Sequence, residues 1–358
     1  MMIQTRPHIK ILDGLRGLAA IVVVVFHFME IIYPNYADSP VSHGFLAVDF
    51  FFCLSGFVIG YAYDNRMKEL GTWQFFKRRL IRLHPLVFFG GLLGFITYCF
   101  GPHGFNAIRE NSSQLWVLLL TTILLIPYPT MDNRYNNLFG LNAPAWSLFW
   151  EYIANIVYAL LLWRISKKLL WLLVIVAAGW LLYAATTPQG LLNGWGKQLW
   201  WVAMPRVSFS FLMGLLIYRS GWKIPNKLGF AGVSLLLLLL FMVPHTDYDY
   251  IYDPLLVIFY VPLLICLGIG ATLQPAFQKV CVFSGAISYP LYMSHYWFMW
   301  WFADYLKTNK LNTTEIAWMT VAGTIGLIVF SWAMLKLVDE PVRRWLTSRN
   351  KLRNDIAQ

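Results

Sequence analysis

The segment LDGLRGLAAIVVVVFHFMEIIY, from Leu12 to Tyr33, is long and apolar enough to cross a lipid bilayer. It nevertheless carries Arg16 near its start and His27 well inside, where ionisable groups are costly. In a helix these two residues lie roughly 16 Å apart along the axis and return to nearly the same face. We therefore expect a site for a long substrate, with a charged end at Arg16 and a reacting end at His27.

The composition of the chain is that of a polytopic membrane protein. Of its 358 residues, 58% are hydrophobic and only 13% are charged, so a water-soluble fold could not bury the apolar surface. The net charge of +11 would suggest nucleic acid as the partner of a soluble domain, but basic cytoplasmic loops and anionic lipid headgroups explain it more simply. We expect a lipid bilayer as a partner and no nucleic acid.

The cysteines give no sign of a metal centre or a disulfide framework. Cys53, Cys99, Cys266 and Cys281 lie in or beside apolar segments, without the paired spacing of zinc ligands. We expect them to be packing residues, and we predict no metal site.

Apolar segments of spanning length predict an all-α membrane protein with about ten transmembrane helices and both termini in the cytoplasm. The predicted spans are residues 15–33, 45–63, 83–100, 145–163, 169–186, 199–218, 228–243, 255–272, 283–304 and 315–336. This arrangement places most of the 28 basic residues on the cytoplasmic side. The first span lacks a small-residue cleavage pattern, so we expect a retained anchor and not a removed signal peptide. A single transmembrane domain is expected over residues 1–358, with a short basic cytoplasmic tail at 343–358.

One apolar segment, residues 114–130, is short and ends in the sequence IPYPT. A full crossing at this point would put Arg164, Lys167 and Lys168 on the side opposite the other basic loops. We therefore expect the segment to be re-entrant or peripheral. The predicted third span begins at Leu83, which would place Pro85 in its first turn, where proline is tolerated.

His27 is the sharpest candidate for a catalytic residue. An imidazole titrates near neutral pH and suits the role of general base towards a hydroxyl nucleophile. The alternative is a packed histidine that bonds to a neighbouring helix. Glu30 lies one helical turn further on, close enough to orient His27, although it could instead extend to the outer interface.

The sequence RRLIR places Arg79 and Arg82 three residues apart, on one face of a helix. Two guanidinium groups in this arrangement suit the binding of phosphate, and Arg16 is expected at the same membrane level. The three arginines are predicted to form a cytoplasmic site for an anionic cofactor or donor. Anchoring by the positive-inside rule is the structural alternative.

Several further polar residues lie in or near the predicted spans. The carboxylates of Asp49 and Glu151 each need a partner, and an arginine or histidine on an adjacent helix is the expected one. Arg206 is predicted to bind substrate or to pair with Glu151. Tyr289 and His295 share the ninth predicted span and belong to a polar stripe that either lines a substrate site or bonds helices together. Glu151 is a further catalytic candidate, and the other four are candidates for substrate binding.

Six motifs, in order along the chain, resemble those of the acyltransferase-3 family of integral membrane acyltransferases. They are LDGLRGLAAIVVVVFHF, VDFFFCLSGFVI, RRLIRLHP, WSLFWEYIANIVY, ISYPLYMSH and DEPVRRW. The resemblance covers essentially the whole chain and implies a ten-helix fold. It also implies transfer of an acyl group, often acetyl from acetyl-CoA, to a hydroxyl of a carbohydrate or glycolipid at or across the membrane.

The resemblance assigns roles to several of the candidate residues. It implies that His27 is catalytic and that Arg16, Arg79 and Arg82 serve activity and donor binding. It further implies a bacterial inner membrane location, with acetyl-CoA as the acyl donor. Polysaccharide-assembly proteins are a further candidate partner, because the chain lacks the hydrolase-like domain that is fused to some relatives.

Two other classes of function remain open on the residues alone. In a secondary transporter or flippase for lipid-linked precursors, the intramembrane ionisable residues would form a proton or substrate pathway. No internal repeat of the kind common in transporters is seen in the sequence. In a non-catalytic scaffold, these residues could be neutralised singly without loss of function.

Overall fold

The computed structural model describes residues 9–101 and 114–356, and within them no β-strand is formed. An isolated bridge joins Asn226 to Ala271. The helices are α1 (Lys10–Ile32), α2 (Ala47–Tyr63), α3 (Met67–Phe100), α4 (Leu115–Ile123), α5 (Ala145–Leu160), α6 (Lys167–Ala185), α7 (Ala203–Ser220), α8 (Gly229–Phe241), α9 (Asp249–Leu255), α10 (Val261–Gly270), α11 (Gln278–Ser294), α12 (Tyr296–Thr308), α13 (Thr313–Met334) and α14 (Glu340–Ile356). Short π-helical turns join α9 to α10 and α13 to α14.

Among the residues that the structure describes, seven helical stretches are long and apolar enough to cross a membrane, which confirms a multi-pass, helical membrane protein. They are Lys10–Ile32, Gly44–Tyr63, Met67–Phe100, Lys167–Ala185, Trp200–Ser220, Asp249–Gly270 and Thr313–Arg349. The prediction of about ten crossings with cytoplasmic termini stays a prediction. The predicted basic tail begins within α14, and residues 357–358 lie outside the described residues.

The third predicted span differs from the observed helix. We expected it to begin at Leu83, with Pro85 in the first turn, but α3 begins at Met67 and continues beyond a non-helical Gly71. Pro85 therefore lies inside the helix and cannot donate to the carbonyl of Ile81, one turn earlier. The prediction that Pro85 lies in a first turn is wrong. Arg79 and Arg82 consequently lie within the helix and not ahead of it.

The ninth predicted span is interrupted. A continuous helix was expected over residues 283–304, but α11 ends at Ser294 and α12 begins at Tyr296, with His295 between them. The Ser294 hydroxyl donates to the Pro290 carbonyl (2.7 Å), and His295 Nδ1 bonds the Leu291 carbonyl (2.9 Å). These carbonyls are the acceptors that a continuing helix would use, so the side chains compete with the helical hydrogen bonds.

The segment at residues 114–130 contains only the short helix α4, of nine residues. A helix of this length is about 14 Å long, less than half of the bilayer core. It is followed by non-helical residues up to Met131. This agrees with the expectation that the segment does not cross the membrane as a helix.

The chain divides into two compact units. Unit 1 comprises Met1–Thr72 and Ser147–Ser288, and unit 2 comprises Trp73–Trp146 and Tyr289–Gln358. In unit 1, α1 packs against α2, α8 and α10, while α2 packs along α7. In unit 2, α3, α4 and the connection before α5 share an apolar core that includes Tyr98, Leu118 and Leu141. The four cysteines are buried and free, as expected of packing residues.

Glycine allows the close approach of α2 and α7. A Cβ added at Gly56 would lie 2.0 Å from the carbonyl oxygen of Phe211, and one added at Gly214 would lie 1.9 Å from that of Cys53. Gly56 and Gly60 also form the GxxxG pattern by which membrane helices pack at short distance. Backbone atoms cannot move aside as a flexible side chain can, so this interface admits no larger residue without displacing a helix.

We expect Gly214→Ala to lower the free energy of unfolding by about 1–3 kcal/mol, because the added methyl group overpacks the interface. Thermal unfolding of the purified protein in detergent would measure the change. Gly179→Ala is the matched control, since nothing lies within 4 Å of the added Cβ on α6. The control should be neutral or stabilising by roughly 0.5–1 kcal/mol. Equal melting temperatures for the two variants would contradict the prediction.

Candidate active site

His27 and Glu30 meet on the last turns of α1, in unit 1. The helix is continuous from Lys10 to Ile32, so Arg16 and His27 lie on one element, as predicted. Nδ1 of His27 lies 2.9 Å from Oε2 of Glu30, which confirms that the carboxylate is close enough to orient the imidazole. The contact is local to the helix, because residues three apart are neighbours on its surface.

Tyr36 completes a chain of three hydrogen-bonded side chains. Its hydroxyl donates to Oε1 of Glu30 over 2.6 Å, so both oxygens of the carboxylate are engaged. The Tyr36 ring stacks on Phe26, with ring centroids 6.1 Å apart. Tyr36 begins a short 3₁₀ turn just beyond α1, and this turn returns the hydroxyl to the end of the helix.

The arrangement favours one tautomer of His27. A carboxylate accepts hydrogen bonds, so the proton belongs on Nδ1 and the Nε2 atom carries the lone pair. The His27 side chain is 19% exposed, which leaves it accessible without being fully solvated. Such a histidine can act as a general base, with Glu30 holding the ring and stabilising the imidazolium that forms.

Arg16 is held at the other end of α1. Its Nε donates to the Ser288 hydroxyl (2.9 Å), and its Nη2 donates to the Gly285 carbonyl (2.8 Å). Nη2 also lies 3.2 Å from a carboxylate oxygen of Asp13. These contacts join α1 to α11 within unit 1. The part of Arg16 in donor binding stays a prediction.

The intramembrane cation Arg206 pairs with Asp49. Nη2 of Arg206 lies 2.6 Å from Oδ2 of Asp49, and the two side chains are 1% and 0% exposed. Arg206 also donates to the carbonyls of Phe45 and Asn193. The structure thus gives Arg206 and Asp49 a role in holding unit 1 together. Their predicted part in substrate binding is untested.

Glu151 lies on α5 and accepts a hydrogen bond from the Ser55 hydroxyl of α2, at 2.9 Å. This contact links two helices of unit 1. Arg206, one of the predicted partners of Glu151, pairs with Asp49. The catalytic role of Glu151 stays a prediction.

The remaining predicted residues belong to unit 2. Arg79 and Arg82 are half-buried on α3, three residues apart. The Tyr289 hydroxyl donates to the Leu83 carbonyl, close to Pro85. His295 is fully buried at the break between α11 and α12. Tyr289 and His295 therefore bond backbone carbonyls, and their predicted contact with substrate is untested.

Arg134 is a buried cation of unit 2 that the sequence analysis did not single out. Its guanidinium carbon lies 4.2 Å from the ring centroid of Trp300 and 5.3 Å from that of Tyr98. Burial lowers the pKa of Arg134 to about 10, and the negative charge of Asp304 partly offsets this shift. Contacts with aromatic faces stabilise a desolvated cation, so we assign Arg134 a packing role.

Sequence reasoning also missed Tyr36 and the cluster of His43, Asp249 and Asp253. A hydroxyl shortly after the predicted first span was the available signal for Tyr36. Asp249 and Asp253 were recognisable as an i, i+4 pair. Their approach to His43 was not, because about 200 residues of chain separate them and spacing carries no information at that range.

The family described as "Acyltransferase domain" matches residues 9–336, a range that contains His27, Glu30 and every other candidate site residue named above. A match over nearly the whole chain shows the family. No solved structure is significantly similar to the chain.

Three curated relatives illustrate the similarity. The chain is 35% identical over 185 residues to Protein 2 in picA locus of Rhizobium radiobacter, covering 49% of this chain and 93% of the relative. It is 28% identical over 255 residues to Acyltransferase MdmB of Streptomyces mycarofaciens, covering 62% of this chain and 60% of the relative. It is 24% identical to Peptidoglycan O-acetyltransferase OatA of Listeria monocytogenes, over 95% of this chain and 56% of the relative. The chain thus spans little more than half of the latter two relatives. It belongs to the acyltransferase-3 family and is a multi-pass integral membrane acyltransferase.

Proposed function

We propose that the protein transfers an acyl group, in the simplest case acetyl, from acyl-CoA to a hydroxyl of a cell-surface or lipid-linked carbohydrate. The hydrogen-bonded chain of His27, Glu30 and Tyr36 carries this proposal, because it supplies an oriented base for a hydroxyl nucleophile. Family membership supports acyl transfer, and similarity to the peptidoglycan O-acetyltransferase of Listeria supports O-acetylation of a carbohydrate. A bacterial inner membrane is the proposed location.

His27 acts in two proton transfers. Nε2 takes the proton of the acceptor hydroxyl as its oxygen attacks the thioester carbonyl carbon. The tetrahedral intermediate then collapses, the carbon–sulfur bond breaks, and the imidazolium returns its proton to the leaving CoA thiolate. Glu30 keeps the Nδ1 proton in place throughout and stabilises the positive ring.

The donor is proposed to be held through its phosphate groups by arginine. Arg79 and Arg82 present two guanidinium groups on one face of α3, which suits bidentate contacts with phosphate oxygens. Arg16 is a further candidate for binding the phosphate groups of the donor, in addition to its contacts with α11. The acceptor reaches His27 from the partly exposed side of the imidazole.

Acyl-CoA binding and turnover by the purified protein test this function. Full-length protein in nanodiscs would be incubated with radiolabelled acetyl-CoA and candidate carbohydrates, and both bound donor and released CoA would be measured. We expect wild type to bind acetyl-CoA and to release CoA faster when an acceptor is present. Arg79→Ala/Arg82→Ala should lose binding, whereas His27→Ala should bind the donor without turnover. A wild-type protein that binds no acyl-CoA would overturn the proposal.

Glu30 is a positioning residue in this scheme. Glu30→Gln should lower kcat by about 10–100-fold, as part of the contribution of an oriented base. The KM for acyl-CoA should change little, since Glu30 acts through His27. Glu30→Asp should recover part of the lost kcat. Tyr36→Phe should lower kcat less than Glu30→Gln does, because the carboxylate of Glu30 remains. Steady-state kinetics separates the two parameters. A variant in which only KM rises would show that Glu30 binds substrate instead.

A further inference from the structure

A second group of ionisable side chains lies in unit 1, outside the proposed acyl-transfer machinery. His43 precedes α2, whereas Asp249 and Asp253 lie one turn apart on α9. Nε2 of His43 is 3.0 Å from Oδ1 of Asp253 and 3.3 Å from Oδ2 of Asp249. One ligand atom from each residue lies within 4.8 Å of both others.

The orientation of His43 is fixed by its other ring nitrogen. Nδ1 lies 2.7 Å from the carbonyl oxygen of Val243. A carbonyl can only accept a hydrogen bond, so Nδ1 carries a proton, and a neutral His43 presents its Nε2 lone pair to the two carboxylates. Histidines that bind metals are commonly held in this way, by a backbone carbonyl on the second nitrogen.

Asp249 is held in the same manner. Its Oδ1 accepts hydrogen bonds from the backbone N–H of Thr246 (3.0 Å) and from the Thr246 hydroxyl (2.9 Å). The other oxygen, Oδ2, faces His43 and also contacts Nδ1 of the exposed His245. Carboxylates that bind metals are commonly held in this way, with one oxygen hydrogen-bonded to the protein so that the other is oriented.

The atoms at the centre of the cluster lie close together but are poorly aligned for hydrogen bonding. His43 is 0% exposed. Neither its Nε2 nor Oδ1 of Asp253 makes a hydrogen bond of normal geometry with any described residue, although both atoms are buried. Buried charges in proteins are paired or coordinate metals. Unless a proton lies between them, three electron-rich atoms that converge in this way repel one another, and a metal cation would relieve that repulsion.

The distances fit a small divalent ion. Ligands at 2.0–2.1 Å from a tetrahedral zinc ion are about 3.3 Å from one another, and the two nitrogen–oxygen separations are 3.0 and 3.3 Å. One side of the cluster is open to solvent, because the side chains of Asp249 and His245 are 13% and 37% exposed. An ion can reach the cluster from this side, where water can supply a fourth ligand.

We propose that His43, Asp249 and Asp253 form a binding site for a divalent transition-metal ion, most simply zinc. The proposed site differs from our prediction of no metal site, which rested on cysteine spacing and could not detect ligands of this type. It would tie the loop before α2 to α9. The rings of Tyr36 and His245 lie 6.4 Å apart, so the ion would also steady the loop that carries Tyr36.

Zinc binding by the full-length protein in detergent tests the site. Protein stripped with a chelator would be titrated with Zn²⁺ alone, and bound metal would be counted by elemental analysis. We expect one zinc ion per chain and a rise in melting temperature of about 5 °C at zinc concentrations 100-fold above Kd. Co²⁺ should give the visible absorption of a tetrahedral site, and Zn²⁺ should abolish it.

Asp253→Asn and His43→Gln should each lower the zinc affinity by at least about 100-fold. Replacing a residue that only hydrogen-bonds a metal ligand already lowers the affinity by about 10–100-fold. Asp247→Asn is the matched control, because Asp247 is an exposed carboxylate of the same connection, and it should bind zinc like wild type. If the buried variants do not fold, zinc titration of wild type and of the half-buried Asp249→Asn variant tests the site, and Asp249→Asn should bind zinc more weakly than wild type. Wild type without stoichiometric zinc, or Asp253→Asn with unchanged affinity, would show instead a protonated His43 between two carboxylates.

Discussion

Replacement of His27 by alanine is expected to lower the rate of acyl transfer by about 10²–10⁴-fold, the usual contribution of a general base. The oxygen of the acceptor would then attack as a hydroxyl, without a group to take its proton. Glu30 and Tyr36 cannot replace His27 as the base, because they hydrogen-bond each other and lie on the Nδ1 side of the imidazole. His27→Gln should be equally slow, since an amide can bond the acceptor but cannot accept its proton.

Folding and donor binding must be unchanged for this result to be informative. His27 is partly exposed, so its removal should leave the melting temperature in detergent close to that of wild type. Val25→Ala, two residues earlier on the same helix and also half-buried, serves as the control and should retain activity. Acylation by His27→Ala at the wild-type rate would eliminate His27 as the base and direct attention to Glu151.

Arg206→Met is expected to destabilise the protein by about 3–5 kcal/mol, the usual cost of breaking a buried ion pair from one side. The change leaves the Asp49 carboxylate without its cation in a fully buried position. It also removes the donors to the carbonyls of Phe45 and Asn193. Chemical or thermal unfolding in detergent should therefore show a large loss of stability, with a lower yield of folded protein.

The double variant Asp49→Leu/Arg206→Met should recover a large part of this loss. Apolar side chains of similar volume can replace a buried pair at little cost, whereas an unpaired charge cannot be accommodated. Lys336→Met is the control. Lys336 lies in the π-helical turn before α14 and forms an exposed ion pair with Glu340, so this change should cost no more than about 1 kcal/mol. A single variant Arg206→Met as stable as wild type would mean that Asp49 finds another cation or becomes protonated.

The parts of the fold that were predicted correctly depend on local sequence. The length and hydropathy of the segment containing Arg16 and His27 specify a single helix, and the three-residue spacing of His27 and Glu30 specifies their contact. The same reasoning placed Arg79 and Arg82 side by side. These relations follow from helix geometry, which requires no knowledge of the rest of the chain.

Relations between distant segments could not be predicted in this way. Spacing cannot identify Asp49 as the partner of Arg206, because 157 residues separate them. The break at His295 arose from side chains that bond backbone carbonyls, a competition that hydropathy does not register. The position of Pro85 was misjudged for a similar reason, since the charged residues before it hid the true start of α3.

The unbroken course of α1 restricts how this protein can change by insertion or deletion. One residue added between Arg16 and His27 would turn the imidazole by about 100° away from its present face and advance it by about 1.5 Å. Seven added residues would restore the face but lengthen the separation by about 10 Å. Because α1 has no interruption that could absorb the change, the length of this segment is as much a part of the proposed active site as the residues at its ends.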